Sequence, residues 1–351
     1  MPLPPSPRRQ STSAADSATT DAHQLRRPRE KLIHVSQQQL DHVTEHRIGV
    51  AAPPSAVYAV IADATTWPHT FGPTVHAISE SADDGSETLQ LWALAGGEVR
   101  NWTSRRVHDP AARTIVFSQL VTSPPVTAMT GTWIVDPVQG DPNTSAVRLL
   151  HEFSVEDDDP AHVEWVETAV ERNSTDELHA LRVAAELDAN QINATVHFAD
   201  SVTIDAQVAD VFAFLDRADA WAEHLPHVER VGFDEPSPGV QWLTLDTRAE
   251  DGSVHTTSSV RVTFPATSIV YKQTQVPAVL SAHTGAWTLR PLEGGVEVTS
   301  SHTIVVDPDK VHLLGAEATV ATARDYVQAA LSRNSRATLA VAKDRIEAAR
   351  V

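Results

Sequence analysis

The stretch Val99-Arg100-Asn101-Trp102-Thr103-Ser104-Arg105-Arg106-Val107 recurs 155 residues later as Val254-His255-Thr256-Thr257-Ser258-Ser259-Val260-Arg261-Val262, with Ser104 over Ser259 and Arg106 over Arg261. As a β-strand, the first copy sends Trp102, Ser104 and Arg106 to one face and Thr103 and Arg105 to the other. One face would then carry an indole, a hydroxyl and a fixed cation. The opposite orientation, with Val99 and Val107 inward and Arg106 in water, fits the spacing equally well. Further anchors repeat in the same order around this pair. Thr130-Gly131-Thr132-Trp133 lies over Thr284-Gly285-Ala286-Trp287 and Trp67 over Trp221, both 154 apart, and Arg172-Asn173-Ser174 lies over Arg333-Asn334-Ser335 at 161. A period this long marks tandem domains, since solenoid repeats run nearer ~20–50 residues.

Each copy reads as one strand, short helices, a run of antiparallel strands and a long closing helix. Alternation and turn residues predict strands at Thr88 to Leu94, Thr114 to Val121 and Val147 to Val155. Apolar positions Val163, Val166, Val170, Leu178, Leu181 and Ala185 predict a helix, and Val320, Val327, Leu331, Leu339 and Ile346 repeat the stripe. An apolar helix face beside a curved antiparallel sheet predicts an α+β fold with the sheet wrapped around the helix. The expected organisation is a tail at 1–41, a first domain at 42–188 and a second at 194–350. Pro2, Pro4, Pro5, Pro7 and Pro28, with few large apolar residues, predict disorder for the tail.

Composition removes several classes of function. Lys and Arg number 27 against 46 Asp and Glu, and the resulting net charge of −19 repels phosphate backbones and anionic membranes. Nucleic acid is not expected as a ligand. Zero Cys excludes disulfides, thiolate metal sites and cysteine nucleophiles. No stretch nears the ~18 apolar residues that cross a bilayer, and Met1 to Thr20 lacks the apolar core of a signal peptide, so a cytoplasmic protein without a membrane partner is expected. Phosphate-binding glycine loops, the dinucleotide fingerprint, His-Glu-x-x-His and the Gly-x-Ser-x-Gly elbow are all missing from the sequence. The 17 His are scattered; His42 and His46 have helical ligand spacing but fall on a predicted strand, and no metal is expected.

The ordered set formed by Ile61-Ala62-Asp63-Ala64-Thr65-Thr66-Trp67-Pro68, Trp102-x-Ser104-x-Arg106, Met129 with Trp133, and Arg172-Asn173-Ser174 resembles the aromatase/cyclases of bacterial type II polyketide biosynthesis, over residues 42 to 350. Its double occurrence resembles the members that carry two such domains. The resemblance implies tandem START-like helix-grip domains, no cofactor, and a dehydrating cyclase whose substrate is a poly-β-ketone tethered to an acyl carrier protein, with ketosynthase and ketoreductase as further contacts. It implies Arg106 as the essential buried cation, Ser104 beside it, and Arg261 and Ser259 as their second-copy counterparts. Trp67, Phe71, Trp102, Met129, Trp133 and Asn173 would line the first site, and Trp221, Trp287 and Asn334 the second. Single-domain relatives place a Tyr seven residues after the position of Trp67; here that residue is Thr74.

Methylenes flanked by two ketones are already acidic, so aldol closure needs folding and enolate stabilisation more than a strong base. A guanidinium keeps its charge and binds two oxygens in its plane, which suits that task. Aromatic walls would hold one carbonyl against one methylene. Dehydration then needs a proton relay, for which His69 and His76 are the titratable groups nearest the Trp67 segment. Copy two has Leu225 for Phe71, Thr257 for Trp102 and His283 for Met129. The expected function is aldol cyclisation and dehydration of the first ring of a carrier-bound, ketoreduced chain. The alternative is a non-catalytic carrier or scaffold for a hydrophobic small molecule, which has no reason to bury two cations.

Overall fold

The computed structural model describes residues 40–95, 97–248 and 252–349, and all of the expected tail except Leu40 and Asp41 lies outside them. One sheet is built from β1 (His42–Val50), β2 (Thr74–Ser81), β3 (Ser86–Ala95), β4 (Glu98–Asp109), β5 (Thr114–Gln119), β6 (Val126–Val138) and β7 (Asp141–Val155). Its spatial order is β1-β7-β6-β5-β4-β3-β2. All neighbours are antiparallel, and β1 closes the far edge by pairing with β7. The second sheet repeats the plan with β8 (Thr195–Ile204), β9 (Val228–Ser237), β10 (Val240–Arg248), β11 (Val254–Phe264), β12 (Ser268–Gln275), β13 (Leu280–Leu292) and β14 (Gly295–Val306), in the order β8-β14-β13-β12-β11-β10-β9.

The helices sit where sequence signals put them. Pro54 opens α1 (Pro54–Ala62), since a first-turn residue has no intrahelical partner for an N–H. The short α2 (Trp67–Thr70) follows it. Asp159 accepts from the amide of Ala161 at the start of α3 (Pro160–Ala189), the first closing helix. In the second copy α4 (Val208–Asp216), α5 (Trp221–His224) and α6 (Val320–Ala348) repeat the set, and Thr319 and Thr322 form a reciprocal cap on α6. The face of α3 that is buried carries Val166, Val170, Ser174, Leu178, Leu181 and Ala185, at spacings of three and four. Leu178 and Leu181 meet Val57, Ile61, Phe71, Ile115 and Trp133, so the apolar seam of each helix closes over the concave side of its sheet. This is the predicted α+β arrangement, twice.

The outer faces of the two sheets differ, and the reason is contact between the copies. Val260, Val262 and Val270 are buried against Val75 and Trp92 of the first copy, and Trp92 meets Phe264 edge-on at 5.4 Å. Beside the inward Arg106, by contrast, Val107 stays exposed. One strand pattern therefore appears as Arg-Arg-Val in copy one and Val-Arg-Val in copy two.

Gly131 and Gly285 are forced by close approach. A Cβ on Gly131 would overlap the Phe117 ring and lie 2.8 Å from the Leu150 carbonyl oxygen, and a Cβ on Gly285 would overlap the Tyr271 ring. Gly131→Ala is expected to cost about 1–3 kcal/mol through overpacking. Urea melts at constant m-value check it.

Candidate active site

On β4, Ser104 and Arg106 point to the concave side, with Ser104 4% and Arg106 2% exposed. The alternation that left two orientations open is resolved by contact with α1, whose end Arg106 reaches from β4. Arg106 Nη2 donates to the carbonyl of Ile61 at 2.7 Å and to that of Ala62 at 3.4 Å. These are the last carbonyls of α1, where unpaired acceptors and the helix dipole favour a cation. Its guanidinium carbon lies 4.9 Å from the centroid of the Trp67 ring. Nη1 pairs with Glu87 at 3.3 Å. Glu87 also accepts from Ser79 at 2.5 Å and lies 2.6 Å from His108 Nε2. Burial pushes the Glu87 carboxyl up, but these hydrogen bonds and the Arg106 charge outweigh it and hold the carboxyl below its usual range. Trp67 meets Phe71 edge-on at 5.3 Å and packs with Trp102 over Ala64, Leu89 and Leu91. Trp133 is buried in the core that holds Phe71, and Met129 packs on Phe153 and Val166.

The second copy keeps the frame and changes its charges. Arg261 is 2% exposed, donates from Nη2 to the Leu215 carbonyl at 2.6 Å, and lies 5.4 Å from the Trp221 ring centroid. Trp221 meets Trp287 edge-on at 6.3 Å. Ser259 donates to the Leu243 carbonyl at 3.4 Å. The place of Glu87, opposite the arginine on the neighbouring strand, is taken by Gln241. Gln241 donates to Asp216 at 2.9 Å, and Nε and Nη1 of Arg261 find no hydrogen-bond partner among the described residues. Burial pulls the Arg261 pKa down to about 10, with Asp216, Glu235 and Tyr271 opposing, so it remains a cation at neutral pH.

Beside Arg261, sequence reasoning missed a buried polar chain. Tyr271 faces Arg261 across the β11–β12 pair, and its hydroxyl lies 2.9 Å from His302 Nδ1. His302 Nε2 lies 2.7 Å from Ser335 Oγ, so a neutral His302 joins the two hydroxyls through its ring nitrogens, one donating and the other accepting. His283 Nε2 also reaches His302 Nδ1, at 3.0 Å. Burial lowers His302 to about 4 and His283 to about 3, leaving both neutral at pH 7, and it raises the Tyr271 phenol. The matching positions of copy one, by strand register, are Phe117, His151 and Met129. A signal did exist in the sequence: the buried face of β14 reads Val296, Val298, Ser300, His302, Ile304, Val306, two polar residues inside an apolar alternation.

Two expectations are corrected. Asn173 and Asn334 are exposed, and the residues after them, Ser174 and Ser335, are the buried ones. One helical residue is a 100° turn, so Asn173 leaves the seam that Val170 and Ser174 define. His69 and His76 do not face Arg106. They line a cleft of about 520 Å³ between the copies, with His197, Val270, Thr284 and Ser301. Trp67 and Phe71 take the inner side of their turn, so His69 points outward, and a register break between Thr74 and His76 turns Val75 and His76 to the second sheet. Burial lowers both histidines to about 4. Among the described residues no cluster of three potential metal ligands occurs.

The doubled frame has a counterpart among known proteins. Residues 41–186 and 195–347 each match the model of the family described as polyketide cyclase / dehydrase and lipid transport. The chain belongs to that family. Within this cyclase/dehydrase family it is 43% identical over 300 residues to the granaticin polyketide synthase bifunctional cyclase/dehydratase of Streptomyces violaceoruber, covering 85% of this chain and 92% of the relative. It is 38% identical over 310 residues to the actinorhodin polyketide synthase bifunctional cyclase/dehydratase of Streptomyces coelicolor, covering 85% and 95%. The crystal structure of the di-domain ARO/CYC BexL from the BE-7585A biosynthetic pathway superposes with a TM-score of 0.81 at 49% identity, over 88% of this chain and 99% of that one. The di-domain ARO/CYC StfQ from the steffimycin pathway gives 0.77 at 32%, over 88% and 99%.

Proposed function

We propose that the protein is a bifunctional cyclase/dehydratase of aromatic polyketide biosynthesis that closes the first ring of a carrier-bound, ketoreduced chain in its first domain, 42–188, and dehydrates it in the second, 194–350. The observation that carries this reading is the buried arginine repeated at the end of α1 and of α4, each over a tryptophan ring, with different groups beside it in each copy. The first arginine sits among Trp67, Phe71, Trp102 and Trp133, rigid rings that would restrict a flexible chain to one near-attack fold while Arg106 polarises a carbonyl. Acyl carrier protein, ketosynthase and ketoreductase are the partners this requires, in the cytoplasm. No helix among the described residues is long and apolar enough to cross a membrane.

The second domain offers what elimination of water needs. Arg261 has two nitrogens, Nε and Nη1, without a partner among the described residues to meet an enolate oxygen, and Tyr271 supplies the proton. In this step the phenol proton goes to the departing hydroxyl and the C–O bond breaks. The electron pair of the α C–H bond forms the new double bond, and the α-proton passes to the phenolate oxygen. Water leaves, and Tyr271 is restored. A phenol whose pKa is raised by burial stays protonated, as the acid must, and His302 holds its orientation.

Reconstitution with a minimal synthase, a ketoreductase and the carrier protein tests the function. First-ring aromatic product is expected with the protein and spontaneous shunts without it; identical profiles would leave the carrier reading standing. Tyr271→Phe fills the same space without the hydroxyl and is expected to slow dehydration about 100-fold. Mass spectrometry should then show a cyclised species one water heavier than the product.

A further inference from the structure

We propose that Lys272 of the second domain is a positioning residue of the first-domain site, its ammonium holding the turn that carries Trp67 and Phe71 against Arg106. Lys272 is 7% exposed and lies on the outer face of β12, beside Val270. Its Nζ donates to the carbonyls of Phe71 at 2.7 Å, Pro68 at 2.8 Å and Thr74 at 2.9 Å. All three acceptors belong to one short segment of the other domain, running from α2 into β2. Three carbonyl oxygens converging on one point repel one another, so this turn keeps its shape only with donors at the focus. An ammonium has three N–H bonds, one for each oxygen. Burial alone draws the Lys272 pKa down to about 7, while the three acceptors favour its charged form.

The clamp lies next to the chemistry assigned above and rests on that assignment of ring closure to the first domain. Phe71, whose carbonyl takes the shortest bond, meets Trp67 edge-on, and Trp67 lies under the Arg106 guanidinium. A shift of this turn would move both rings relative to the cation. In the first domain the register places Ser118 where the second has Lys272, each opposite the threonine that precedes the glycine of its Thr-Gly pair. The lysine is therefore a feature of the second copy alone, where that face meets the other domain. It gives a physical reason for tandem copies: the second domain supplies part of the scaffold of the first site.

The test compares full-length Lys272→Met with Arg106→Ala in the reconstituted system. Lys272→Met is expected to lower first-ring product about tenfold and to raise the linear-derived shunts, the product pattern of Arg106→Ala. Hydrogen exchange should show the amides from Phe71 to Val75 losing about tenfold in protection while β6 and β7 keep theirs. A uniform loss across both domains would mark a general structural role and overturn the clamp. Wild-type yield and protection in a folded Lys272→Met, with Arg106→Ala diverted, would overturn it while leaving the first-domain reading intact. Wild-type yield from both variants would remove that reading and the clamp with it. Should Lys272→Met not fold, Lys272→Gln, whose neutral amide offers two N–H donors to three carbonyls, is read by the same two measurements: a smaller loss of yield with loss of protection confined to residues 71–75 is expected, and a uniform loss across both domains overturns the clamp.

Discussion

Arg106→Ala is expected to reduce first-ring aromatic product by about 100-fold or more and to divert the chain into spontaneously cyclised shunts. The change removes the cation at the centre of the aromatic wall, together with the donor to Ile61 and the partner of Glu87. Removing one member of a buried pair also costs about 3–5 kcal/mol of stability, so a loss of product alone does not separate chemistry from folding. The variant that separates them combines Arg106→Met with Glu87→Gln, which removes both charges and puts in copy one the amide that Gln241 supplies in copy two. This double variant should stay folded by circular dichroism and remain inactive. Wild-type product from it would end the assigned role. Arg106→Lys should fail largely as well, because a point charge cannot bridge the helix-end carbonyl and a substrate oxygen with one planar fork.

Arg261→Ala should give a different product. Ring closure should still proceed in the first domain, with a cyclised, incompletely dehydrated species accumulating and a dehydration rate lower by about 100-fold. The structure sharpens this expectation beyond loss of a cation. Arg261 has two nitrogens without a partner among the described residues and lies across one strand pair from a phenol, whereas Arg106 is already paired with Glu87 and faces Phe117. Product mass and ring pattern decide between outcomes. Shunts identical to those of Arg106→Ala would mean one joint function, and an unchanged product from Arg261→Ala would reduce the second copy to a support. Gln241→Glu offers a reciprocal check: a carboxylate opposite Arg261 should occupy its free donors and slow dehydration without affecting ring closure.

The duplication and the order of strands and helices were legible because each rests on a local period or a repeated string, whereas alternation left both faces open to Arg106 and only the family resemblance turned it inward. Alternation marks which strand positions share a face, and spacing of three and four marks the closing helices. The sequence by itself therefore determined two α+β domains and placed tryptophan, serine and arginine on one strand, and serine and arginine on its counterpart. Tertiary structure decided the rest. Which helix face is buried depends on phase against the sheet, and that phase selected Ser174 and Ser335 over Asn173 and Asn334. The contacts of Arg106 and Arg261 with helix-end carbonyls join residues 45 and 46 positions apart, and the Lys272 contacts span about 200. No periodicity reports such distances, because they are set by how finished elements pack. The same packing took His69 and His76 away from the first site and buried His302 and Tyr271 beside Arg261, where desolvation and a fixed hydrogen bond give ordinary side chains their chemical use.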